Sequence, residues 1–292
     1  MRDAHFCSYS LRSQTKMAKK YAYFNGKIIT LDKVKINPYD LGFLRGYGVF
    51  DVMCTQNGKP FLLDEHWARI VVFAKEMKLC LPVNKKEFSD IITKLLQLNK
   101  FSKSTIRTVL TGGESGDAFT PCGKETFLIL VEKFQPLPKE SFTEGVGVAT
   151  LNFSRYLPRV KITNYVEAIR NLDLKKKNKA LEITYVKDGE LLENSMSNIF
   201  IFKNNTLITS NGGVLMGTTR NLVVKLAKKK FKVEERKVSE KEFRNASEVF
   251  LTGANKDIVP VVRIDNKKVG DGKVGKNTKV LMEEFRKFVK KY

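Results

Sequence analysis

One lysine in this lysine-rich chain, Lys161, has apolar and aromatic neighbours that could make its amine reactive. Lys161 lies in the segment LPRVKITNY (157–165), among apolar and aromatic residues, where a strand is expected to give way to a helix. Burial in such surroundings lowers the pKa of a lysine, and the resulting neutral amine can form a Schiff base with an aldehyde. The alternative is an ordinary surface lysine, which the composition alone favours.

A carboxylate farther along the chain could bind a ring ligand. Glu193 ends a predicted hairpin strand and precedes the small polar residues NSMSN (194–198). A buried carboxylate at such a place could keep a ring nitrogen protonated, so that the ring can accept electrons. The alternative is a turn residue in contact with water.

A glycine-containing loop indicates where a phosphate could bind. The loop 211–217 follows the predicted strand Thr206–Thr209 and leads into Thr218 and Thr219 at the start of a helix. Free N–H groups, the positive end of the helix dipole and threonine hydroxyls together suit a phosphate. An ordinary capped helix has the same sequence pattern, so this segment is weak evidence by itself.

The elements that must position these residues are hairpins and helices. Asn-Gly pairs at 25–26 and 57–58 mark hairpin turns, and Asp64 is expected to cap a helix whose buried stripe includes Val71. More strands and helices follow the sequence QPLP (135–138). Because the pattern lacks the regular βαβ repeat of a parallel sheet, it predicts an α+β fold of two lobes.

This pattern divides the chain into four parts. We expect a disordered leader over 1–20, with an alternative start at Met17, a small N-terminal domain over 21–134, a linker over 135–142 and a large C-terminal domain over 143–292. The two prolines in the linker remove hydrogen-bond donors and fix the local backbone.

The composition fits a globular protein with an unusual charge. Hydrophobic residues make up 42% of the 292 residues, and the formal net charge is +22. No run approaches the ~18 apolar residues that a membrane helix needs, and the lysines are spread out instead of clustering with aromatic residues as in a nucleic-acid reader. We therefore expect no membrane and no specific nucleic acid, although the charge alone would also fit a basic binding protein.

The cysteines and histidines show no metal-ligand spacing. The four cysteines lie far apart, and so do His5 and His66. This pattern predicts no metal site and favours free thiols in the reducing environment of the cytoplasm.

Taken in this order, the lysine, carboxylate and glycine-loop segments resemble the class IV aminotransferases, which include branched-chain and D-amino-acid aminotransferases and aminodeoxychorismate lyase. The resemblance runs from about Tyr23 to Phe285. It implies fold type IV, with a small N-terminal α/β lobe and a larger C-terminal pseudo-barrel lobe. It also implies pyridoxal 5'-phosphate as the cofactor and a homodimer as the assembly.

The resemblance also assigns roles to residues. It implies that Lys161 holds the cofactor as a Schiff base and moves the substrate proton, that Glu193 pairs with the pyridine nitrogen, and that Tyr165 lies near the ring hydroxyl. The residues that it places around the phosphate are Arg69, Thr218, Thr219, Gly253, Ala254 and Asn255. Many relatives have a threonine or serine where Ala254 stands, so that contact is reduced here to a backbone N–H.

The substrate class depends on what binds the α-carboxylate. The D-amino-acid group often carries an Arg-x-His pair for this purpose, and here no histidine follows His66. Arg45, on a loop that lies at the dimer interface in this family, and Arg107, in an apolar strand, could replace that pair, with Tyr47 beside Arg45 as a further substrate contact. An arginine in an apolar strand needs a partner, which could equally be a nearby acid.

Three local patterns favour a transaminase for D-amino acids, with 2-oxoglutarate or pyruvate as the acceptor. The segment Leu44–Gly48 is similar to that of atypical D-amino-acid aminotransferases, and the chain has Phe-Asp-Val at 50–52 where branched-chain enzymes typically have Phe-Glu-Gly. The spacing from Lys161 to Tyr165 is also shorter than in that group. A branched-chain L-amino-acid aminotransferase and an aminodeoxychorismate-type lyase are the alternatives, and the lyase is weakened by Val52, near which lyases often have a threonine.

Overall fold

The structure is a computed structural model that describes residues 19–292. Its strands are β1 Tyr21–Phe24, β2 Lys27–Thr30, β3 Gly48–Gln56, β4 Lys59–Pro60, β5 Ser104–Thr111, β6 Thr126–Lys133, β7 Val146–Asn152, β8 Glu182–Lys187, β9 Glu190–Asn194, β10 Asn198–Lys203, β11 Thr206–Thr209, β12 Lys232–Glu235, β13 Val238–Ser239, β14 Glu248–Gly253, β15 Asp257–Ile264 and β16 Lys267–Lys268. Its α-helices are α1 Leu41–Arg45, α2 Leu63–Glu76, α3 Lys85–Asn99, α4 Glu140–Thr143, α5 Val166–Arg170, α6 Leu172–Lys177, α7 Thr218–Ala227, α8 Glu240–Arg244 and α9 Lys276–Lys291.

The first sheet is antiparallel and has the order β2-β1-β6-β5-β3-β4. Its hairpins close at the predicted Asn-Gly pairs, where Asn25 has a φ of 43° and Asn57 a φ of 50°, the left-handed backbone that such two-residue turns require. Helices α2 and α3 pack on one face through residues such as Phe73, Phe88 and Ile92. The opposite face of β3 and β5 is therefore left to line a cavity.

The second sheet is mixed. Its main path has the order β12-β11-β10-β14-β15-β7-β8-β9-β13, and β16 pairs with β15. The pairs β7–β8, β7–β15 and β11–β12 are parallel, and the others are antiparallel. Helices α7 and α9 cover one face through a core that includes the stacked rings of Phe200 and Phe250, 4.9 Å apart. The predicted α+β fold with two lobes is confirmed, while the bounds given to the four parts stay predictions.

Two local predictions were wrong, and one strand was missed. Asp64 lies inside the first turn of α2, and the N-cap is Leu62, whose side chain cannot accept a hydrogen bond. Val71 is 38% exposed, because the buried side of this helix runs through Ile70 and Phe73 instead. Strand β15 was not predicted, since Pro260 within it weakens the pattern expected of a central strand.

The segment with Lys161 joins the two sheets. It lies in the loop between β7, which ends at Asn152, and α5, which begins at Val166, so the predicted passage from a strand to a helix runs through a loop. In this loop, the Lys161 carbonyl accepts from Phe50 N at 2.9 Å, and Thr163 N donates to Gly48 O at 3.0 Å. These bonds fix the lysine against β3.

Most of the predicted leader, residues 1–18, lies outside the described residues. Lys19 and Lys20, its last two residues, are exposed and precede β1.

None of the described helices is long and apolar enough to cross a membrane.

Candidate active site

A cavity of about 570 Å³ lies between the two sheets. The free face of β3 and β5 forms one wall, and the β9–β10 connection, the start of α7 and the turn 253–256 form the others. All the residues predicted to bind the cofactor line it: Lys161, Glu193, Arg69, Tyr165, Thr218, Thr219, Gly253, Ala254 and Asn255. Residues that are distant in sequence are thus brought to one place.

The Lys161 amine is held in an aromatic corner of this cavity. Its Nζ donates to the Tyr165 hydroxyl at 3.2 Å and lies 4.4 Å from the centre of the Phe50 ring. Burial, helped by the nearby Arg69 cation, lowers the pKa of Lys161 to about 8. Burial raises the pKa of Tyr165 to about 12. At neutral pH the Tyr165 hydroxyl therefore keeps its proton, while part of the Lys161 population has a neutral amine that can react.

The Glu193 carboxylate is buried and fixed by four donors, the longest contact being that from Asn198 Nδ2 to Oε2 at 3.5 Å. Arg155 Nε and Nη2 reach its Oε1 at 2.8 and 2.5 Å, and Leu215 N donates to its Oε2 at 3.0 Å. Burial raises the pKa of Glu193, while Arg155 and the Leu215 N–H favour the charged form. The alternative of a turn residue in water was wrong, since only 4% of Glu193 is exposed.

The start of α7 and the turn 253–256 together form a donor-rich end of the cavity. Gly217 precedes the helix, and a Cβ there would stand 2.2 Å from Asn198 Oδ1, so this approach needs glycine. The Thr252 hydroxyl, at the end of β14, is buried without a hydrogen-bond partner among the described residues. Free N–H groups and an unpaired hydroxyl at a helix start suit an anion.

Arg69 lines the cavity but already has a partner. Its Nε and Nη2 donate to Asp51 at 2.7 and 2.9 Å. Although burial raises the pKa of Asp51, the Arg69 cation and the hydrogen bonds from Arg69 and His66 together hold it well below its usual range. Nη1 makes no hydrogen bond within residues 19–292 and is the donor left for a ligand.

The residues predicted to bind the substrate are distributed differently. Arg107 lines the cavity with a side chain that is 38% exposed, and it pairs with Glu132 at 3.3 Å, which is the nearby acid expected as one of its two possible partners. Strand β5 alternates between buried and half-buried residues, and Arg107 lies on the half-buried side. Tyr47 does not line the cavity of its own chain, because its hydroxyl donates to the Met77 carbonyl. Arg45 is also outside that lining.

Arg155 and Lys256 are among the charged residues of the cavity wall that sequence reasoning missed. Arg155 binds Glu193 from 38 positions away, and no sequence pattern connects them. Lys256 forms a buried ion pair with Glu182, with 2.8 Å between Nζ and Oε1. A lysine beside the predicted phosphate turn was the available signal for this second pair.

These residues fit pyridoxal phosphate. The α7 start and the Thr252 hydroxyl offer donors to a phosphate. Lys161 offers an amine that can lose its proton near neutral pH, and only such a neutral amine reacts with the aldehyde of the cofactor. Glu193 offers a fixed carboxylate to a protonated ring nitrogen.

Known proteins resemble this chain over most of its length. A protein of Methanocaldococcus jannaschii named "Putative branched-chain-amino-acid aminotransferase" is 32% identical over 276 residues, 90% of this chain and 94% of that protein. The D-alanine aminotransferase of Staphylococcus haemolyticus is 26% identical over 273 residues, 91% of this chain and 97% of that protein. The branched-chain amino acid aminotransferase of Escherichia coli has the same fold, with a TM-score of 0.86 at 22% identity over 93% of this chain and 95% of that one. Residues 48–264 match the model of amino-transferase class IV, and the chain belongs to this family of pyridoxal-phosphate enzymes.

Proposed function

We propose that this class IV aminotransferase uses Lys161 and Glu193 to move amino groups from D-amino acids to 2-oxo acids. The observation that carries the proposal is that a buried amine with a lowered pKa and a fixed buried carboxylate line one cavity together with a helix start, where free N–H groups suit an anion. When bound, pyridoxal phosphate supplies an electron sink for the pair of electrons released at the substrate Cα.

The residues divide the remaining work. Neutral Lys161, a base whose pKa of about 8 lies near neutral pH, would take the proton from the substrate Cα and carry it to the bound cofactor. Tyr165, 3.2 Å from the amine, limits the positions that Nζ can take. Glu193 stabilises a proton on the ring nitrogen because Arg155 and Leu215 hold it in one orientation.

Two features support an amino acid of modest size as the substrate. Phe50, Val52 and Val109 form an apolar wall on β3 and β5, which suits an aliphatic side chain. Arg107 lies at the same wall and has an exposed partner that a substrate carboxylate can replace.

The handedness of the substrate is proposed on sequence grounds. The Leu44–Gly48 segment and the Phe-Asp-Val sequence at 50–52 support D-amino acids, as do D-alanine aminotransferases that match about nine-tenths of the chain. Branched-chain L-amino acids are the second candidate, favoured by the Methanocaldococcus jannaschii relative.

A half-reaction screen tests this proposal. The protein loaded with pyridoxal phosphate is mixed with paired D- and L-forms of alanine, leucine and glutamate, and the loss of absorbance of the lysine-bound cofactor is followed. We expect the D-forms to react faster. Faster reaction of L-leucine would favour the second candidate, and no reaction with any pair would contradict a transaminase.

Arg107→Ala should weaken substrate capture while leaving cofactor binding nearly unchanged. A charge-assisted hydrogen bond contributes about 1.5–3 kcal/mol, so kcat/KM of the half-reaction should fall ~10–150-fold. Arg107→Lys keeps the charge but lacks the paired donors of the guanidinium group. Its kcat/KM should therefore lie between those of the unsubstituted protein and Arg107→Ala. An unchanged kcat/KM in the alanine variant would exclude Arg107 from the substrate site.

A homodimer is the proposed assembly, with Arg45 acting in the neighbouring subunit's site. Three large apolar residues near α1 support an interface, since Tyr39, Phe43 and Phe119 are 57%, 74% and 76% exposed. Tyr39 and Phe119 lie close together, because Ser115 N donates to Tyr39 O at 3.2 Å and Ser115 Oγ accepts from Phe119 N at 3.1 Å, while Phe43 lies within α1 itself. Exposed apolar surface of this kind marks association sites.

Mixing two inactive variants should restore activity if Arg45 acts across the interface. An equal mixture of Arg45→Ala and Lys161→Ala subunits forms heterodimers in which one site has both residues intact. Random exchange in a symmetric dimer should therefore restore roughly a quarter of the sites. No recovery, with subunit exchange shown by mass spectrometry, would place Arg45 outside its neighbour's site.

A cytoplasmic location is also proposed. Within the described chain Cys54, Cys80 and Cys122 are free, and the last two are exposed. Exposed free thiols fit a reducing compartment.

A further inference from the structure

A buried chain of hydrogen bonds lies beneath the cavity wall. Asp51 on β3 contacts His66 on α2, with 2.6 Å from Oδ1 to Nδ1, and His66 Nε2 lies 3.1 Å from the Thr218 hydroxyl on α7. The exposed fractions are 2% for Asp51, 1% for His66 and 6% for Thr218. Only Thr218 reaches the cavity, so the chain connects a buried carboxylate to the anion-binding end of the site.

The shortest contact fixes where the imidazole carries its hydrogen. A carboxylate only accepts, so the 2.6 Å contact with Asp51 requires a hydrogen on His66 Nδ1, and the longer 3.3 Å approach of Arg69 Nη2 to the same nitrogen is then not a hydrogen bond. In a neutral imidazole Nε2 is then an acceptor, and the Thr218 hydroxyl must donate to it. The hydroxyl hydrogen therefore points at His66 and away from the cavity.

An anion at the start of α7 reverses this arrangement. A phosphate dianion accepts hydrogen bonds only, so it favours a Thr218 hydroxyl that turns its hydrogen towards the cavity. The hydroxyl oxygen would then face the Nε2 lone pair, unless Nε2 carries a hydrogen. A proton taken from solvent onto Nε2 removes this conflict, since imidazolium donates to both Asp51 and Thr218.

We infer that His66 is a positioning residue for the cofactor phosphate, which takes up a proton when the phosphate binds and so frees the Thr218 hydroxyl to donate to it. The inference rests on the proposed cofactor site. It assigns a binding role to a histidine that does not line the cavity itself.

The groups around His66 set the pH range of this effect. Burial lowers the pKa of His66, Arg69 lowers it too, and Asp51 and Glu65 raise it, so the free protein holds a neutral imidazole at neutral pH. A bound dianion accepting from Thr218 raises the pKa. Because the ligand prefers the protonated form, its affinity should fall as pH rises between the two values, by as much as ~tenfold per pH unit.

Nuclear magnetic resonance can report the imidazole directly, since the chain has only two histidines. The His5→Gln protein, labelled with nitrogen-15 in histidine, is compared with and without saturating pyridoxamine phosphate at about pH 7.5, where a phosphate monoester is a dianion. This ligand carries the phosphate but no aldehyde for Lys161. We expect a neutral ring with its hydrogen on Nδ1 in the apoprotein, and hydrogens on both nitrogens in the complex.

Two variants show whether His66 takes up its proton because of the Thr218 hydroxyl or because of the ligand's charge alone. In Thr218→Val, which lacks the hydroxyl, His66 should stay neutral when the ligand is bound, and the pH dependence of the dissociation constant should flatten. Thr218→Ser should behave as the unsubstituted protein. A neutral His66 in the ligand complex, or equal protonation in the valine variant, would overturn the inference. Failure of pyridoxamine phosphate to bind at all would instead contradict the proposed cofactor site.

Discussion

Lys161→Met should abolish turnover and covalent attachment of the cofactor, while pyridoxal phosphate still binds through its phosphate. The variant removes the amine that bonds to the aldehyde and moves the Cα proton, so the rate should fall by about 10³-fold or more. Borohydride reduction of the loaded protein followed by peptide mapping identifies the attached residue. Lys94→Met, on the exposed side of α3, is the matched control and should keep full activity.

The pH dependence of attachment gives an independent check. Only the neutral amine reacts, so the attachment rate should rise with pH and level off above about 8, the lowered pKa of Lys161. An ordinary lysine would continue to gain rate up to its usual pKa of about 10.4. A label on any other lysine, or a rate that keeps rising past pH 9 to about pH 10, would contradict the assignment.

Local signals explain which elements were predictable. The Asn-Gly turns at 25–26 and 57–58 require a left-handed backbone, which few residue pairs adopt, so both hairpins could be placed from the sequence. The apolar residues Phe88, Ile92 and Leu95 lie at helical spacing in the sequence, and the structure has a helix there at Lys85–Asn99. The start of α2 could not be placed, because Leu62 enters the helix through a left-handed conformation set by packing.

Tertiary contacts explain what was missed in the site. The sequence identified the residues that line the cavity, since family motifs are local, but not the residues that hold them. Arg155 meets Glu193 across 38 positions, and His66 meets Thr218 across 152 positions. The environment of Arg107 also depends on which side of β5 faces the cavity, and a one-residue change of register would reverse it.

Glu193→Gln should slow the half-reaction by about 10²–10³-fold and leave attachment at Lys161 in place. An amide cannot stabilise a proton on the ring nitrogen, so the charge released at the substrate Cα loses its stabilising acceptor, and the loss of one such electrostatic group costs a factor of this size. Stopped-flow absorbance with excess amino acid measures the rate. Glu193→Asp keeps the charge but shortens the side chain, so its half-reaction rate should lie between those of the unsubstituted protein and Glu193→Gln.

The difficulty in this experiment is that Glu193 also neutralises Arg155. Both side chains are nearly buried, 6% and 11% exposed, and removing one partner of such a pair costs about 3–5 kcal/mol of stability. A slow rate could then reflect a partly unfolded protein instead of a changed ring nitrogen. The double variant Glu193→Gln/Arg155→Met removes the unpaired cation as well, so it should regain thermal stability over Glu193→Gln. If the carboxylate acts on the ring nitrogen, the more stable double variant stays slow. Recovery of the rate together with stability would show that Glu193 is needed only to balance Arg155.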